Sequence, residues 1–153
     1  MNDQYAGIIA SLPLFTGYTL HGAQRLLSYG EIKGYGRGEL LFKEGDAPAF
    51  VLLVLAGKLQ VFVERHGREV ILTDAGPNTV LGELAVLCGI PRSASVRVLE
   101  ESTVLKWEAT AFRRLLVSDP SLSERIFRES LRTLIEKERS LIASLTESQA
   151  GNK

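Results

Sequence analysis

The sequence predicts a mainly β protein, an antiparallel sandwich or barrel with short helices before it and two helices after it. Short runs rich in Val, Ile and Leu begin at Glu31, and regular turn spacing between such runs is typical of antiparallel folds. Four glycines separate the runs, at gaps of 12, 10 and 9 residues: Gly45, Gly57, Gly67 and Gly76. The apolar period then changes from 2 to 3.6 at Ala109. A length of 153 residues allows one domain with a sizeable core.

Two short helices precede the β region. Residues 3–12 and 19–28 carry apolar positions at helical spacing, and Pro13 separates them. Within the β region, residues 51–56 are apolar throughout, which predicts a strand covered on both faces. Residues 58–64 alternate, which predicts a strand with one face in the core.

A hairpin and the last helices complete the predicted chain. His66 and Gly67 predict a tight turn before a strand at 69–73. Two more strands are expected at 93–99 and 103–108. A helix from Ala109 to about Pro120 and a longer one over 121–145 follow. We therefore expect one domain over residues 1–145 and a flexible tail at 146–153.

The long helix carries an apolar stripe with heptad-like spacing. Its members are Phe127, Leu131, Leu134, Leu141 and Leu145, and Glu138 is its polar position. This spacing is typical of a seam between two copies of a chain. Packing of the stripe on its own domain explains the pattern equally well, so both interpretations stay open.

The charge balance and the length of the apolar runs limit the possible partners. The chain has 18 basic and 18 acidic residues and zero formal net charge, which argues against direct nucleic-acid binding. No run reaches the roughly 18 apolar residues of a membrane segment, and the N-terminus does not resemble a signal peptide. Together with the single cysteine, these features predict a cytoplasmic protein.

Residues suited to catalysis or metal binding are sparse. The two histidines, His21 and His66, are far apart in sequence, and no Ser-His-Asp or Cys-His arrangement can be assigned. Cys88 is expected to be a half-buried packing residue. We therefore expect no enzyme activity, no metal site and no cofactor.

One sixteen-residue segment, 81–96, combines residues suited to a phosphorylated sugar. A sharp turn at Gly82 is expected to lead into a short helix, whose first amides can donate to an anion. Those amides lie near Leu84 and Ala85. The guanidinium of Arg92 can give a phosphate two parallel donors, and the following serine adds a hydroxyl.

Glu83 is the acidic residue of that segment. An ionised carboxylate only accepts hydrogen bonds and is repelled by phosphate, so its natural partner is a sugar hydroxyl. The combination therefore indicates a ribose phosphate. In the alternative interpretation, Glu83 and Arg92 pair with each other at the surface, which contributes about 1 kcal/mol or less.

The sequence resembles the cyclic nucleotide-binding domain family over residues 10–145. Residues 82–85 read Gly-Glu-Leu-Ala and residues 91–96 read Pro-Arg-Ser-Ala-Ser-Val, at the spacing of the family's phosphate-binding cassette. Three further turns match: residues 43–46, 56–59 and 75–77. The resemblance implies an antiparallel β jelly roll, or double-stranded β-helix, flanked by helices.

The resemblance also implies roles for individual residues. The ligands of the cyclic phosphate would be Arg92, Ser93, Leu84 and Ala85, and those of the ribose Glu83 and Gly82. Positions near the base would be Val61, Leu72 and Thr73, with Thr133 and Lys137 on the long helix. Lys137 and Glu138 stand where family members carry hydroxyl residues, so the choice between cAMP and cGMP stays open.

We therefore expect a cyclic nucleotide sensor without an attached output domain, in which binding shifts the C-terminal helices. Two alternatives stay open. The chain is a sensor fragment of a larger transcription factor or channel, or it is a non-sensing module that dimerises through Phe127, Leu131, Leu134 and Leu141.

Overall fold

The computed structural model describes the backbone of residues 2–151 and the side chains of residues 4–146. Two compact units are present, one ending at Ser118 and one beginning at Asp119. The first unit contains the sheet, and the second is a long helix.

The first unit opens with two α-helices, α1 (Asn2–Ser11) and α2 (Leu20–Ser28), joined by a 3-10 turn (Pro13–Phe15). Both predicted helices are confirmed, and the proline between them begins the 3-10 turn. The Thr19 hydroxyl caps α2 by accepting a hydrogen bond from the Gly22 amide at 3.1 Å.

Six strands of the described chain form one sheet. They are β1 (Glu31–Tyr35), β2 (Leu40–Phe42), β3 (Phe50–Arg65), β4 (Arg68–Ala75), β5 (Val80–Leu81) and β6 (Ser95–Glu108). The order is β1-β6-β3-β4, with β2 also paired to β6 and β5 also paired to β3. Every one of these pairings is antiparallel, which confirms the predicted mainly antiparallel β architecture.

Two long strands replace four predicted short ones. The predicted strands at 51–56 and 58–64 are both parts of β3. The predicted strands at 93–99 and 103–108 both fall on β6, except that β6 begins at Ser95, two residues later than predicted. The predicted breaks were wrong because Gly57 forms a bulge rather than a turn. Its φ is +92°, and the register between β3 and β6 shifts around it while both strands continue.

The predicted turn joins β3 to β4. His66 and Gly67 have φ values of 56° and 75°, as a two-residue type I′ hairpin requires. Arg65 and Arg68 are therefore directly opposite each other at the end of the ladder.

Buried strand residues form a hydrophobic cluster in the first unit: Phe42, Leu52, Val54, Leu59, Val61, Ala75, Val96, Val98 and Val104. Residues 51–55 are all buried, as predicted for a strand covered on both faces. Trp107 at the end of β6 is also buried, and its indole N–H donates to the carbonyl oxygen of Leu26 at 3.0 Å. This bond joins the sheet to α2.

Helices follow the sheet as predicted. The helix α4 (Ala109–Ser118) confirms the change of period at Ala109. The second unit is α5 (Pro120–Gly151), whose first turn is capped by the Asp119 carboxylate, 3.0 Å from the Leu122 amide.

The predicted end of this last helix at Leu145 was wrong, because α5 continues to Gly151. Residues 146–150 are mostly polar but include neither glycine nor proline, and polarity alone does not end a helix. The last two residues of the predicted tail, 152 and 153, lie outside the described residues.

The apolar stripe predicted on the long helix is exposed on α5. Its members are Phe127, Leu131, Leu134, Leu141 and Leu145.

The bulge at Gly57 provides a test of the strand assignment. A methyl group at this position would lie 2.5 Å from the carbonyl oxygen of Glu101 and 2.6 Å from the Cα of Ser102. We expect backbone strain in Gly57→Ala to lower the free energy of unfolding by about 1–3 kcal/mol. Overpacking against β6 should lower it by a further amount of about the same size. Urea titration measures the total loss.

Gly38→Ala is the matched control. Gly38 has a φ of +91°, but a methyl group there would meet nothing within 4 Å. It should therefore show the strain without the overpacking. Equal losses in the two variants would contradict the close approach of β6 to the bulge.

Candidate functional site

The strand β3 fixes the start of the cassette, as we call residues 81–96. Leu81 of β5 is opposite Leu52 of β3. The pairing extends into the preceding turn, where the Val54 amide donates to the carbonyl oxygen of Thr79 at 2.9 Å. The chain therefore enters the cassette from a short, half-buried strand that is paired to β3.

Gly82 makes the sharp turn that the sequence predicted. Its φ of 83° lies in the left-handed region, and it directly precedes the short helix α3 (Glu83–Cys88). A Cβ atom at Gly82 would collide with Nη1 of Arg92. Glycine is therefore required here both for the turn and for the space that the guanidinium occupies.

Arg92 is the buried cation of the cassette, with 3% of its surface exposed. Nη1 donates to the carbonyl oxygen of Gly82 at 2.9 Å, and Nη2 donates to that of Phe50 at 2.5 Å. The guanidinium carbon lies 4.0 Å from the ring centroid of Phe42 and 5.0 Å from that of Phe50. Two carbonyls and two aromatic rings therefore hold this side chain.

One nitrogen of the guanidinium makes no hydrogen bond. Within the described part of the chain, Nε of Arg92 is the buried side-chain nitrogen or oxygen that has no hydrogen-bond partner. Such atoms are rare in folded proteins because an unmade buried hydrogen bond is costly. The Nε–H group is therefore left without an acceptor among the described residues, and it is shielded from solvent.

The buried charge of Arg92 lies near two carboxylates, of which Glu83 is buried and Asp46 is exposed. Burial lowers the pKa of the guanidinium below its ordinary value, and the negative charges of Asp46 and Glu83 oppose that shift. Glu83 is 9% exposed. An exposed Glu83–Arg92 pair is thus the wrong interpretation, because both side chains are inside the protein.

The turn at residues 43–46 holds the main chain of the cassette. The Gly45 amide donates to the carbonyl oxygen of Arg92 at 2.8 Å, and the Arg92 amide donates to that of Asp46 at 2.9 Å. The Glu44 amide donates to Oγ of Ser95 at 2.9 Å. The backbone on both sides of the guanidinium is therefore fixed from a different part of the chain.

An ion pair ties the same turn to the β3–β4 hairpin. Nη2 of Arg65 lies 2.9 Å from the carboxylate of Glu44, and the hydrogen bond from Arg65 lowers the pKa of that carboxyl below its usual range. The pair is exposed, so it adds little to the stability of the fold.

The remaining predicted phosphate and ribose residues follow Gly82 or flank Arg92. Leu84 is half-buried and Ala85 is buried, and both lie in the first turn of α3. Ser93 is exposed beside Arg92. The structure places Arg92 in direct contact with Gly82, and the joint binding of a phosphate by the other residues stays a prediction.

One of the predicted base-proximal residues of the sheet, Val61, pairs with a residue of the cassette. Val61 of β3 is opposite Thr73 of β4 on one side and Val96 of β6 on the other. Val61 is buried, whereas Leu72 and Thr73 are exposed. Thr133 and Lys137 are exposed on α5, and their proximity to a base stays a prediction.

Sequence reasoning missed several of the residues that build the site. Phe42 and Phe50 were assigned no role, because two aromatic residues in separate strands carry no sign that they stack on one guanidinium. The turn at 43–46 was recognised as similar to a turn of the family, but its hydrogen bonds to the backbone of Arg92 were not predicted. Cys88 was wrongly predicted to be half-buried: it is exposed, because it is the last residue of α3.

Two other kinds of feature are absent from the described residues. Among side chains 4–146, no group of three or more His, Cys, Asp or Glu residues is arranged to hold a metal ion. No helix in the described part of the chain combines the length and the apolar character that crossing a membrane requires.

Comparison with known sequences identifies proteins that are similar to this chain. Residues 32–119 match a family model described as "Cyclic nucleotide-binding domain". The chain is 32% identical over 96 residues to a cAMP-dependent protein kinase regulatory subunit from Blastocladiella emersonii, covering 62% of this chain and 24% of that protein. It is 27% identical over 128 residues to a CRP-like cAMP-activated global transcriptional regulator from Mycobacterium tuberculosis, covering 83% and 57%.

A solved structure shares the fold. The crystal structure of the catabolite activator protein of Thermus thermophilus superposes with a TM-score of 0.76 at 28% identity, over 84% of this chain and 61% of that one. This likeness confirms the predicted jelly roll. The chain spans less than two thirds of the length of each of these three proteins. With its family model matched over more than half of its length, the chain belongs to the cyclic nucleotide-binding domain family.

Proposed function

We propose that this chain binds cAMP or cGMP at the cassette and acts as a regulatory sensor rather than as an enzyme. The buried guanidinium of Arg92 carries the proposal, because its Nε–H group has no acceptor among the described residues. A cyclic phosphate supplies that acceptor together with a negative charge. Two of the relatives are described as cAMP-dependent and cAMP-activated, which supports a cyclic nucleotide as the ligand.

The division of roles follows the family pattern and the geometry of the cassette. The phosphate would be bound by Arg92, Ser93 and the first-turn amides of Leu84 and Ala85, and the ribose by Glu83 beside Gly82. An acceptor-only carboxylate suits a 2′-hydroxyl. Residues near the base would be Val61, Leu72 and Thr73, with Thr133 and Lys137 from α5.

In this proposal, occupancy of the cassette is coupled to movement of the C-terminal helices. A ligand shifts such an equilibrium only by its differential affinity for the two states. The relatives are longer than this chain, so a role as the sensor part of a larger regulator is included in the proposal. A cytoplasmic location follows from the intracellular ligand.

The exposed stripe of α5 supports a homodimer as a second part of the proposal. Leu131 is 59% exposed and Leu141 62% exposed, and apolar side chains at this spacing are suited to a helical seam. A non-sensing module that only dimerises remains the rival function. It would need this stripe and no nucleotide.

Thermal unfolding with and without nucleotide separates the two functions. A ligand present at 100 times its dissociation constant adds about 2.7 kcal/mol to the free energy of unfolding. We expect such a gain with cAMP, cGMP or both, and a smaller gain with the acyclic 5′-monophosphates. Differential scanning calorimetry measures both gains. No shift with either cyclic nucleotide would contradict the proposed function and favour the dimerisation module.

Substitution of Arg92 tests the assignment of the phosphate site. We expect Arg92→Met to weaken nucleotide binding by about 2–5 kcal/mol, as for other buried charge pairs that lose one partner, measured by titration calorimetry. Methionine keeps an apolar stem between the rings of Phe42 and Phe50.

Arg97→Met is the matched control for this experiment. Arg97 also stacks on an aromatic ring, 4.3 Å from the centroid of Phe62, and it hydrogen-bonds to Gln60 and Glu69. Its removal costs the same kinds of contact outside the proposed phosphate site. Comparable losses of affinity in the two variants would contradict the assignment of Arg92 to the phosphate site.

The dimer is tested by placing a charge on the stripe. We expect wild-type protein to sediment as a dimer and Leu131→Glu as a monomer in analytical ultracentrifugation, because a buried seam does not tolerate unpaired carboxylates. Leu20→Glu is the control, since Leu20 is 58% exposed on α2 and lies off the stripe. A monomeric wild-type protein, or dissociation by both substitutions, would refute the seam.

A further inference from the structure

The β3–β4 hairpin extends beyond the strand that lies beside it. The ladder between β3 and β6 ends where Phe62 is opposite Ser95, and β6 begins at that serine. Among the described strands, residues 63–65 of β3 pair with β4 alone. The residues just before Ser95 belong to the cassette and include Arg92. The end of the hairpin therefore lies where the sheet stops and the cassette begins.

Arg65 attaches this end of the hairpin to the turn at 43–46. Its terminal nitrogens Nη1 and Nη2 lie 3.0 and 2.9 Å from the two carboxylate oxygens of Glu44. Two parallel donors fix the angle between the partners as well as their distance. Nη1 also donates to the carbonyl oxygen of Glu64 at 2.6 Å. The guanidinium is thus held by its own strand and by the turn.

The same turn is bonded to the cassette. The Glu44 amide donates to Oγ of Ser95 at 2.9 Å, and Ser95 is buried. Gly45 and Asp46 hold the backbone of Arg92. One turn therefore contacts the cassette through its main chain and the hairpin through the Glu44 carboxylate.

The hairpin carries the residues that the proposed function places near the base. Val61 belongs to β3, and Leu72 and Thr73 belong to β4. The side chains of β4 are exposed from Arg68 to Asp74, so few buried contacts fix this strand in place. A nucleotide that contacts both the hairpin and Arg92 requires a fixed separation between them, and groups that are held in place before the ligand arrives bind it more tightly.

We propose that Arg65 and Glu44 are positioning residues for nucleotide binding, whose ion pair holds the β3–β4 hairpin at the separation from Arg92 that the nucleotide requires. This inference rests on the proposed function, because it requires that the cassette is the nucleotide site. Neither residue touches the ligand in this proposal. The two side chains are 55% and 33% exposed, so the pair acts on affinity rather than on the stability of the fold.

A double-mutant cycle on nucleotide affinity tests this role. Arg65→Met, Glu44→Met and the double variant of the full chain are titrated calorimetrically with cAMP and cGMP. We expect each single variant to bind about two- to fivefold more weakly, which corresponds to the contribution of an exposed ion pair. The double variant should lose no more than either single variant, because all three remove the same pair.

An effect of charge alone predicts a different result. Loss of the negative charge of Glu44 would then strengthen the binding of an anion, whereas the positioning role predicts weaker binding. Arg68→Met is the matched control for the arginine, because Arg68 is exposed and lies directly opposite Arg65 on the hairpin. It removes the same charge but leaves the Arg65–Glu44 pair, so it should change affinity by less than about twofold.

The possible failures are distinguishable. If wild-type protein binds neither nucleotide, the proposed function fails. If wild-type protein binds but Arg65→Met keeps the wild-type affinity, Glu44→Met binds more tightly, or Arg68→Met loses as much as Arg65→Met, the positioning role is wrong and the nucleotide site stands. Additive losses in the double variant would also overturn it. So would a single variant that does not fold, or whose urea midpoint falls in proportion to its affinity, because such a residue acts through the stability of the fold.

Discussion

A charged guanidinium inside the protein is the constraint on which the site depends. Moving an ion out of water costs several kcal/mol unless fixed polar groups replace its hydration. Arg92 receives the carbonyls of Gly82 and Phe50 and the faces of two rings. These groups come from β2, β3 and the turn at Gly82, so the jelly roll must be correctly folded before the arginine can be buried.

Several local features follow from the same constraint. Residue 82 has to be glycine because a Cβ atom would occupy the space of Nη1. The turn at 43–46 has to meet the cassette because its amide and carbonyl groups fix the backbone of Arg92. The nitrogen of the guanidinium that has no hydrogen-bond partner is Nε. A site that is nearly complete, and lacks one acceptor for a cation, is suited to selecting an anion that brings the acceptor with it.

The elements that could be predicted from the sequence are those that depend on residues close together in the chain. The helices at both ends, the hairpin at His66 and the turn at Gly82 depend on a few neighbouring residues, and all were predicted. The roles of Gly57 and Phe50 were not, because a bulge and a cation–π contact depend on which strand lies opposite. For the same reason the continuation of β3 and β6 was missed. Arg65 is a similar case: an arginine at the end of a strand looks solvated until the carboxylate of Glu44 is placed beside it.

The resonance of the Arg92 Nε–H group tests the central claim most directly. In isotope-labelled protein, it can be assigned by its absence from Arg92→Lys and followed during addition of cAMP and cGMP. We predict that nucleotide binding shifts this resonance strongly and slows its exchange with water, while the Nε–H group of Arg97, already bonded to Gln60 at 2.9 Å, changes little. Saturating nucleotide that leaves the Arg92 resonance unchanged would contradict the account.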